Sequence, residues 1–396
     1  HDHRNFEIET GPQVTLEEDL SRRDFTCNSM ALRLADGQLS DPFDGAGAIR
    51  RRVLSMTSPD SFRDDPLRVL RAARFAARFA FSIDRAILDT AQGVVLGELS
   101  AERVAEELCR LLLEAERPGI GLDAYWQLSV LDKLYPELAR LALTIQDAHF
   151  HPETDAQGHH TVWAHTVISV DLAAYFARQA GLDEGRRLAL LLAALLHDVG
   201  KAETTRWEYK RGRLTVTSQL HDARGTERAG ATLERLRLDT RSGFPLRRVV
   251  ENLIRNHHRI YELYRSRAET GFRALARLIR DLEGEDLLLV LLDCADRLSR
   301  EAVHAPDLNQ DPVASWFFAV KAEHRLSLET IRPLLAGRDL LTLGFPPGPE
   351  MGRLLKSMYE RQLDGEFATR EEGLALLPEA PGKKGPSAGH SDGDVS

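Results

Sequence analysis

The chain has 396 residues, 43% of them hydrophobic, and a formal net charge of −9. That is enough apolar material for roughly two or three modules with their own cores, while the acidic balance excludes a uniformly basic nucleic-acid binder, so any RNA contact must come from local basic faces. Cys27, Cys109 and Cys294 stand far apart with no CxxC pair, which excludes a disulfide framework and a thiolate zinc site and predicts a reducing, cytoplasmic setting.

Residues 1–60 alternate short apolar runs with polar residues, at Phe6–Ile8, Met30–Leu34 and Val53–Met56, punctuated by Gly and Pro turns. The alternation predicts strands. After Asp64 the period becomes helical. Helices are expected over 66–80, 84–92, 101–115, 119–129, 162–179, 184–197, 226–236, 246–257, 268–281, 284–298 and 313–323, with more beyond 328. The His- and Gly-rich stretch 150–160, with His159 and His160, reads as a linker, and 380–396 has a composition too polar to bury a core. No apolar run reaches the ~18 residues of a membrane span, because Leu188–Leu196 is bounded by Arg187 and by His197-Asp198. No membrane association and no secretory signal are expected. The fold class predicted is α+β, mostly α-helical. The sequence opens on His1 rather than Met, which predicts a fragment or a processed product.

Near the start stands Asp19-Leu-Ser-Arg22-Arg23-Asp24-Phe25-Thr26-Cys-Asn28. Two arginines, an acid, then Thr and Asn suit an edge that binds phosphate and sugar. Further on come Asp41-Pro-Phe-Asp44-Gly45, Phe62-Arg-Asp64-Asp65-Pro-Leu-Arg68-Val-Leu-Arg71, and Glu102-Arg103-Val-Ala-Glu106-Glu107. This ordered set resembles the tRNA nucleotidyltransferase/poly(A) polymerase family, in the bacterial class that adds CCA or A to RNA 3′ ends, and the likeness runs from about Gln13 to Leu377. It implies ATP and CTP with Mg as ligands and tRNA or another RNA 3′ end as the partner.

Asp65 followed by Pro66 is a good helix start. Arg68, Arg71, Arg74 and Arg78 then share a face about 120° wide, opposite Val69, Leu70, Ala73, Ala76 and Ala77. Spacing alone allows a solvated arginine face or one that meets a nucleotide and RNA phosphates. The resemblance implies that Asp65 and Arg68 pair with the Watson–Crick edges of C and A, and that Arg22, Arg23, Asp24 and Asn28 hold triphosphate and ribose. It also implies that Arg103 and Glu106 fix head against neck. Asp64 stands where the family commonly has Glu, which leaves the choice between C and A open.

Nucleotidyl transfer needs carboxylates spaced Asp-x-Asp on a strand to hold two metal ions, which the family places after a Gly-Gly loop, N-terminal to the Arg-Arg-Asp motif. The only Asp-x-Asp is Asp392-Gly-Asp394, in the polar tail, and Asp2 and Glu7 supply neither pair nor loop. The chain is therefore expected not to transfer nucleotides alone; the pair would precede His1 or come from a separate chain supplying the head.

A second constellation runs His165, His197-Asp198, Lys201, His221, His258 and Asp296. His197 and Asp198 end an apolar helix, where both reach one ion and Asp198 bridges if a second binds. Imidazole with carboxylate suits a mid-row divalent metal such as Mn, Fe, Ni, Co or Zn, with Mg less favoured. The order His … His-Asp … Asp resembles the HD phosphohydrolase superfamily, and implies His165, His197, Asp198 and Asp296 as ligands, with His197, Asp198 and Lys201 catalytic. His221 and His258 bind either substrate phosphate or a second ion. Asp293 rivals Asp296.

In the tail, Arg338, Lys356, Arg361 and Arg370 are candidate phosphate contacts, and the Gly352 turn is either a plain cap or a phosphate cradle. The domains expected are 1–62, the remnant of the nucleotidyltransferase head; 63–149, a nucleotide-selecting neck; 150–300, an HD phosphohydrolase domain; 301–379, an RNA-contacting helical tail; and 380–396, disordered. A tRNA 3′-end nucleotidyltransferase relative carrying an HD domain is the function this predicts. The competing readings are a stand-alone metal phosphohydrolase and a non-enzymatic RNA-binding module.

Overall fold

The computed structural model of the chain describes residues 14–380, apart from 211, 269–271, 302–306 and 330. The expectations for Asp2, Phe6–Ile8, Glu7, Gln13 and the tail with Asp392–Asp394 lie outside the described residues. The structure is 59% helix and 7% strand, which makes the class α+β with helices dominant. Two units form: His1–Tyr261 with Leu287–Ser315, and Glu262–Asp286 with Trp316–Ser396.

Among the described residues the first element of this unit is helix Leu16–Ser21, closed by a reciprocal cap in which the Thr15 hydroxyl accepts from the Glu18 N–H and the Glu18 carboxylate accepts from the Thr15 N–H. The early strands are shorter than the alternation predicts. Ala31–Leu32 pairs antiparallel with Leu39–Ser40, and Val53–Leu54 pairs parallel with Ser82–Ile83. A helix, Gly45–Arg51, intervenes where more strand was expected. Its cause is local: the Asp41 carboxylate accepts from the N–H groups of Gly45 at 2.6 Å and Ala46 at 2.9 Å. Two of the helix's orphan donors are thereby satisfied. A Cβ on Gly45 would sit 2.3 Å from the Thr26 carbonyl oxygen, so glycine lets this helix lie against the Arg-Arg-Asp segment.

The basic helix runs Leu67–Phe79, one residue later than expected, with Pro66 rather than Asp65 at its cap, and Asp65 accepts from the Leu67 N–H at 3.2 Å. Its apolar side packs against helices Ala101–Glu114 and Gly119–Gln127. The four arginines do not form one outward face. Arg74 is buried at 1% exposure, with Nε 2.7 Å from Glu107 and Nη1 3.2 Å from Glu114, and Arg78 shares Glu114 at 3.0 Å. The facing helix carries both glutamates seven residues apart, two turns on one side, so this half of the row is neutralised inside the fold. Only Arg68 and Arg71 remain for a ligand.

Beyond residue 160, helices Val162–Gln179, Glu184–Leu196, His221–Arg235 and Leu246–Asn256 pack around one another. Every residue from Leu188 to Leu196 is buried, so Glu184–Leu196 is the central helix. No helix among the described residues is long and apolar enough to cross a membrane. A hairpin that the periodicity did not reveal, Thr205–Lys210 with Arg213–Ser218, turns at Gly212 (φ +79°). Helix His221–Arg235 starts at His221 rather than 226.

In the second unit, Arg277 and Arg280 of helix Phe272–Asp281 bind Glu360 of helix Pro349–Leu363 at 3.2 and 2.8 Å, around a small core of Leu335, Met358 and Phe367. Two of the expected phosphate contacts are engaged internally: Arg361 with Glu366 and Arg370 with Asp339, each at 2.7 Å. Gly352 lies in the first turn of helix Pro349–Leu363.

Candidate functional site

Three segments far apart in sequence converge on one cavity of about 700 Å³. Arg22, Arg23, Asp24, Asn28, Asp65, Arg68, Arg71 and Arg103 all line it, with Asp19 and Leu67. Five arginines against three carboxylates make this a positive basin in a chain of net negative charge, which suits a polyphosphate. Phe25 anchors the first segment in the core against Phe62 and Phe75. The neighbouring Asp24 carboxylate is thereby held inward, where it accepts from Arg71 Nε and Nη2 at 2.9 and 2.6 Å and from Asn28 Nδ2 at 3.2 Å. Arg103 donates to Asp65 at 3.0 Å. Arg68 donates to the carbonyls of Arg22 at 2.6 Å and Ser61 at 3.1 Å, tying the basic helix to the Arg-Arg-Asp loop. Glu106, expected with Arg103 to fix head against neck, accepts from Arg241 at 2.8 Å.

The second constellation gathers at the C-terminal end of Glu184–Leu196. His165 Nε2 lies 2.9 Å from Asp296 Oδ1 and 3.8 Å from Asp198 Oδ2, and His197 Nε2 lies 3.3 Å from Asp198 Oδ2. On the other side of Asp198, Oδ1 lies 3.5 Å from His221 Nε2, which is 3.1 Å from His258 Nε2. Lys201 Nζ is 2.7 Å from Asp198 Oδ2 and donates to Gln146 Oε1 at 2.9 Å. Asp296 rather than Asp293 faces the cluster; Asp293 is turned to Arg297 at 2.8 Å, and burial pushes its carboxyl up to about 7 despite that arginine. Close packing makes the site possible: a Cβ on Gly200 would lie 2.1 Å from the His221 carbonyl oxygen.

The imidazoles are set for ligation. Nδ1 of His197 meets the Ala194 carbonyl at 2.9 Å, that of His221 the Ser218 carbonyl at 2.8 Å, and that of His257 the Ile254 carbonyl at 2.6 Å. A carbonyl only accepts, so each Nδ1 carries the proton and each Nε2 presents a lone pair. His165 Nδ1 meets the Glu153 carboxylate at 2.8 Å, the carboxylate–histidine pairing found behind many metal ligands. The Nε2 atoms of His165, His197 and His257 and Asp198 Oδ1 are buried without a hydrogen-bond partner, and Asp198 Oδ2 has only its ion pair with Lys201. Such orphans are costly, and a divalent cation would satisfy them together. His165, His197 and Asp296 have ligand atoms close enough for one ion, and His221, His257 and His258 form a second such set. The residues present fit a metal.

Electrostatics agree. Burial alone would raise the Asp198 carboxyl, but Lys201 and His197 hold it well below the usual range. Burial likewise opposes ionisation of Asp296, and Arg300 at 2.8 Å more than offsets it. Burial drives His257 well below its ordinary value, as an imidazole ligand requires.

Sequence reasoning missed His257, His151, Glu153 and Arg300. The stretch expected to be a linker folds inward: His151 and Glu153 are buried, and with His165 they form a third group. The adjacency of His257 to His258 was a signal for the first; nothing local distinguishes Glu153.

An HD domain profile matches residues 162–301, and a poly A polymerase head domain profile matches residues 1–55. Both families depend on divalent metals. A multifunctional CCA protein of Azoarcus sp. is 36% identical over 327 residues, covering 80% of this chain and 71% of that protein. One from Stenotrophomonas maltophilia is 33% identical over 361 residues, covering 89% and 80%. A solved CCA-adding enzyme complexed with CTP shares the fold, with a TM-score of 0.53 at 20% identity over 91% of this chain and 71% of the other. The likeness spans both the arginine-lined cavity and the histidine–aspartate cluster, and the chain belongs to the multifunctional CCA proteins, a tRNA 3′-end nucleotidyltransferase family, and carries their HD domain.

Proposed function

We propose that the arginine-lined cavity selects CTP and ATP, with Mg, for addition to the 3′ end of tRNA in the cytoplasm. The convergence of eight motif residues on one cavity carries this reading. Arg22 and Arg23 take the triphosphate, and Asn28, oriented by Asp24, takes the ribose. Asp24 also holds Arg71 against the phosphates. Asp65, steadied by Arg103, accepts from the exocyclic amino group that C and A share, and Arg68 donates to the ring acceptor. U and G present a carbonyl where that amino group would be, which sets one acceptor against another at Asp65, a mismatch that costs affinity. In this reading 63–149 form the selecting neck, 150–300 the hydrolytic domain and 301–379 the tail that grips RNA. Calorimetric titration with the four nucleoside triphosphates tests it. CTP and ATP are expected to bind more tightly than UTP and GTP, with the preference lost in Asp65→Ala and Arg68→Ala; equal binding of all four, or an intact preference in both variants, would sink it.

The orphaned ligand atoms support a second activity beside the first. We infer that His165, His197, Asp198 and Asp296 hold a divalent ion, Mn, Ni, Co, Fe, Zn or Mg, and that the domain cleaves phosphate monoesters or 2′,3′-cyclic phosphates. Such an ion supplies Lewis acidity toward phosphate and makes water nucleophilic at neutral pH. Lys201 neutralises charge beside Asp198 and steadies the ester. Asp198 spans toward His221, His257 and His258, which take a second ion or the substrate phosphate. Hydrolysis of 2′,3′-cyclic AMP is expected to need metal and to vanish in Asp198→Ala; a wild type inert with every one of these metals ends the idea.

A further inference from the structure

The hairpin Thr205–Lys210/Arg213–Ser218 rises from both rims of the cluster. It follows helix Lys201–Thr204, whose Lys201 sits on Asp198, and it ends at Ser218, whose carbonyl holds the His221 imidazole. Its two faces differ. One is anchored: Thr215 is buried and its hydroxyl donates to Asp147 at 2.6 Å, while Arg213 lies over the Phe150 ring at 5.7 Å. The register puts Trp207 opposite Val216 and Tyr209 opposite Leu214 on the other face. That face is bare, with Trp207 63%, Tyr209 75% and Leu214 61% exposed. Large rings grouped in water on a short hairpin mark a binding surface more often than chance exposure.

We propose that this bare face is a stacking platform for the last unpaired bases of an RNA 3′ end whose terminal phosphate lies at the histidine–aspartate cluster. The proposal rests on the phosphohydrolase reading of that cluster. Trp207 and Tyr209 stand two residues apart on one strand, about 6.8 Å, which is twice the ~3.4 Å rise of a nucleotide in a stacked strand. Rings at that spacing accept bases without regard to sequence, because every base has a π face. The hairpin is also net basic, Arg206, Lys210 and Arg213 against Glu208 among the described residues, in a chain that is acidic overall; by the same register these charges lie on the anchored face, so they add a local positive field around the rings and no contact on the platform itself. The platform begins at the stem beside the cluster and extends outward by about 14 Å over four residues. It would favour strand ends over free phosphate esters.

The test uses the full chain, a fluorescein-labelled oligoadenylate of about eight residues ending in a 3′-phosphate, within the range of single-strand site sizes, and fluorescence anisotropy. Trp207→Ala/Tyr209→Ala is expected to weaken binding by roughly tenfold per ring, and Trp207→Phe/Tyr209→Phe to restore most of it. For an oligonucleotide ending in a 2′,3′-cyclic phosphate the alanine variant is expected to raise KM and leave kcat, with no change toward a ribose cyclic phosphate lacking its base. Unchanged anisotropy in the alanine variant overturns the platform. So does light scattering that shows the wild type to be a dimer broken by that variant, since the face would then meet a second copy. If the wild type hydrolyses nothing, the phosphohydrolase reading fails, and anisotropy alone still decides the platform.

Discussion

Replacing Glu153 by Gln probes how the cluster is held. The Glu153 side chain is 4% exposed, and its Oε1 accepts from Nδ1 of both His165 (2.8 Å) and His151 (2.9 Å). Burial pushes its carboxyl up, yet the two imidazoles bring it down to about 2, so it is anionic at any working pH. That anion keeps the proton on His165 Nδ1 and makes Nε2 a stronger base toward a cation. Glutamine keeps the shape and one acceptor but removes the charge and puts an NH₂ donor in a buried place. Loss of such a supporting group weakens metal binding by about 10- to 100-fold, or roughly 1.4–2.8 kcal/mol. Titration of Mn²⁺ into the metal-free chain at pH 7.5, without nucleotide, is the assay. Apparent affinity is expected to fall by that factor while kcat at saturating metal is largely kept. Ser299→Ala, removing the weaker neutral partner 2.9 Å from the same Nδ1, should cost less than tenfold. A wild-type affinity in Glu153→Gln, or a lost kcat at unchanged affinity, would refute the reasoning.

In Gly200→Ala the added Cβ would meet the His221 carbonyl oxygen at 2.1 Å and the Gly225 nitrogen at 2.6 Å, both backbone and unable to step aside; Mn²⁺ binding and hydrolysis are expected to collapse together, whereas Gly352→Ala, with open space around it in a helix, should gain about 0.5–1 kcal/mol in thermal melts. Asp293 gives a pH test. Its carboxyl is raised in the fold from the ordinary 3.8 to about 7, with burial the main cause and Arg297 shared with Asp311. The stability from its proton is therefore full below pH 3.8 and lost as pH rises through about 7. Asp293→Asn should melt with the wild type near pH 4 and above it at pH 8; a difference constant with pH would count against this.

Local chemistry made much of the molecule legible. Asp65-Pro66 announced the basic helix, the apolar run to Leu196 announced the central helix, and the order His165, His197-Asp198, Asp296 named residues that the fold brings within a few ångströms. The motif residues of the nucleotide cavity were readable through the resemblance of their ordered segments to a known family, whereas their side chains are held by partners remote in the chain, Asp24 by Arg71 and Asp65 by Arg103. The sequence alone could not show that Asp24 spends both oxygens on Arg71 and Asn28, or that Arg74 is no ligand group at all.

What the tertiary structure decided depends on partners remote in the chain. Arg74 and Arg78 look like Arg68 and Arg71 until helix Ala101–Glu114 brings Glu107 and Glu114 over them. The 150–160 stretch looks like a linker until His165 gives Glu153 a proton to accept. The hairpin is two strands that satisfy only each other, too short for periodicity to separate from loop. Asp296 and Asp293 are one helical turn apart, and only their remote partners separate them: Asp296 meets His165 while Asp293 is turned to Arg297. By itself the sequence determined which residues are able to bind phosphate and metal, because residue type and local capping are chain-local properties. The tertiary structure decided which of them face a common space, because burial and ion pairing are settled by what packs opposite.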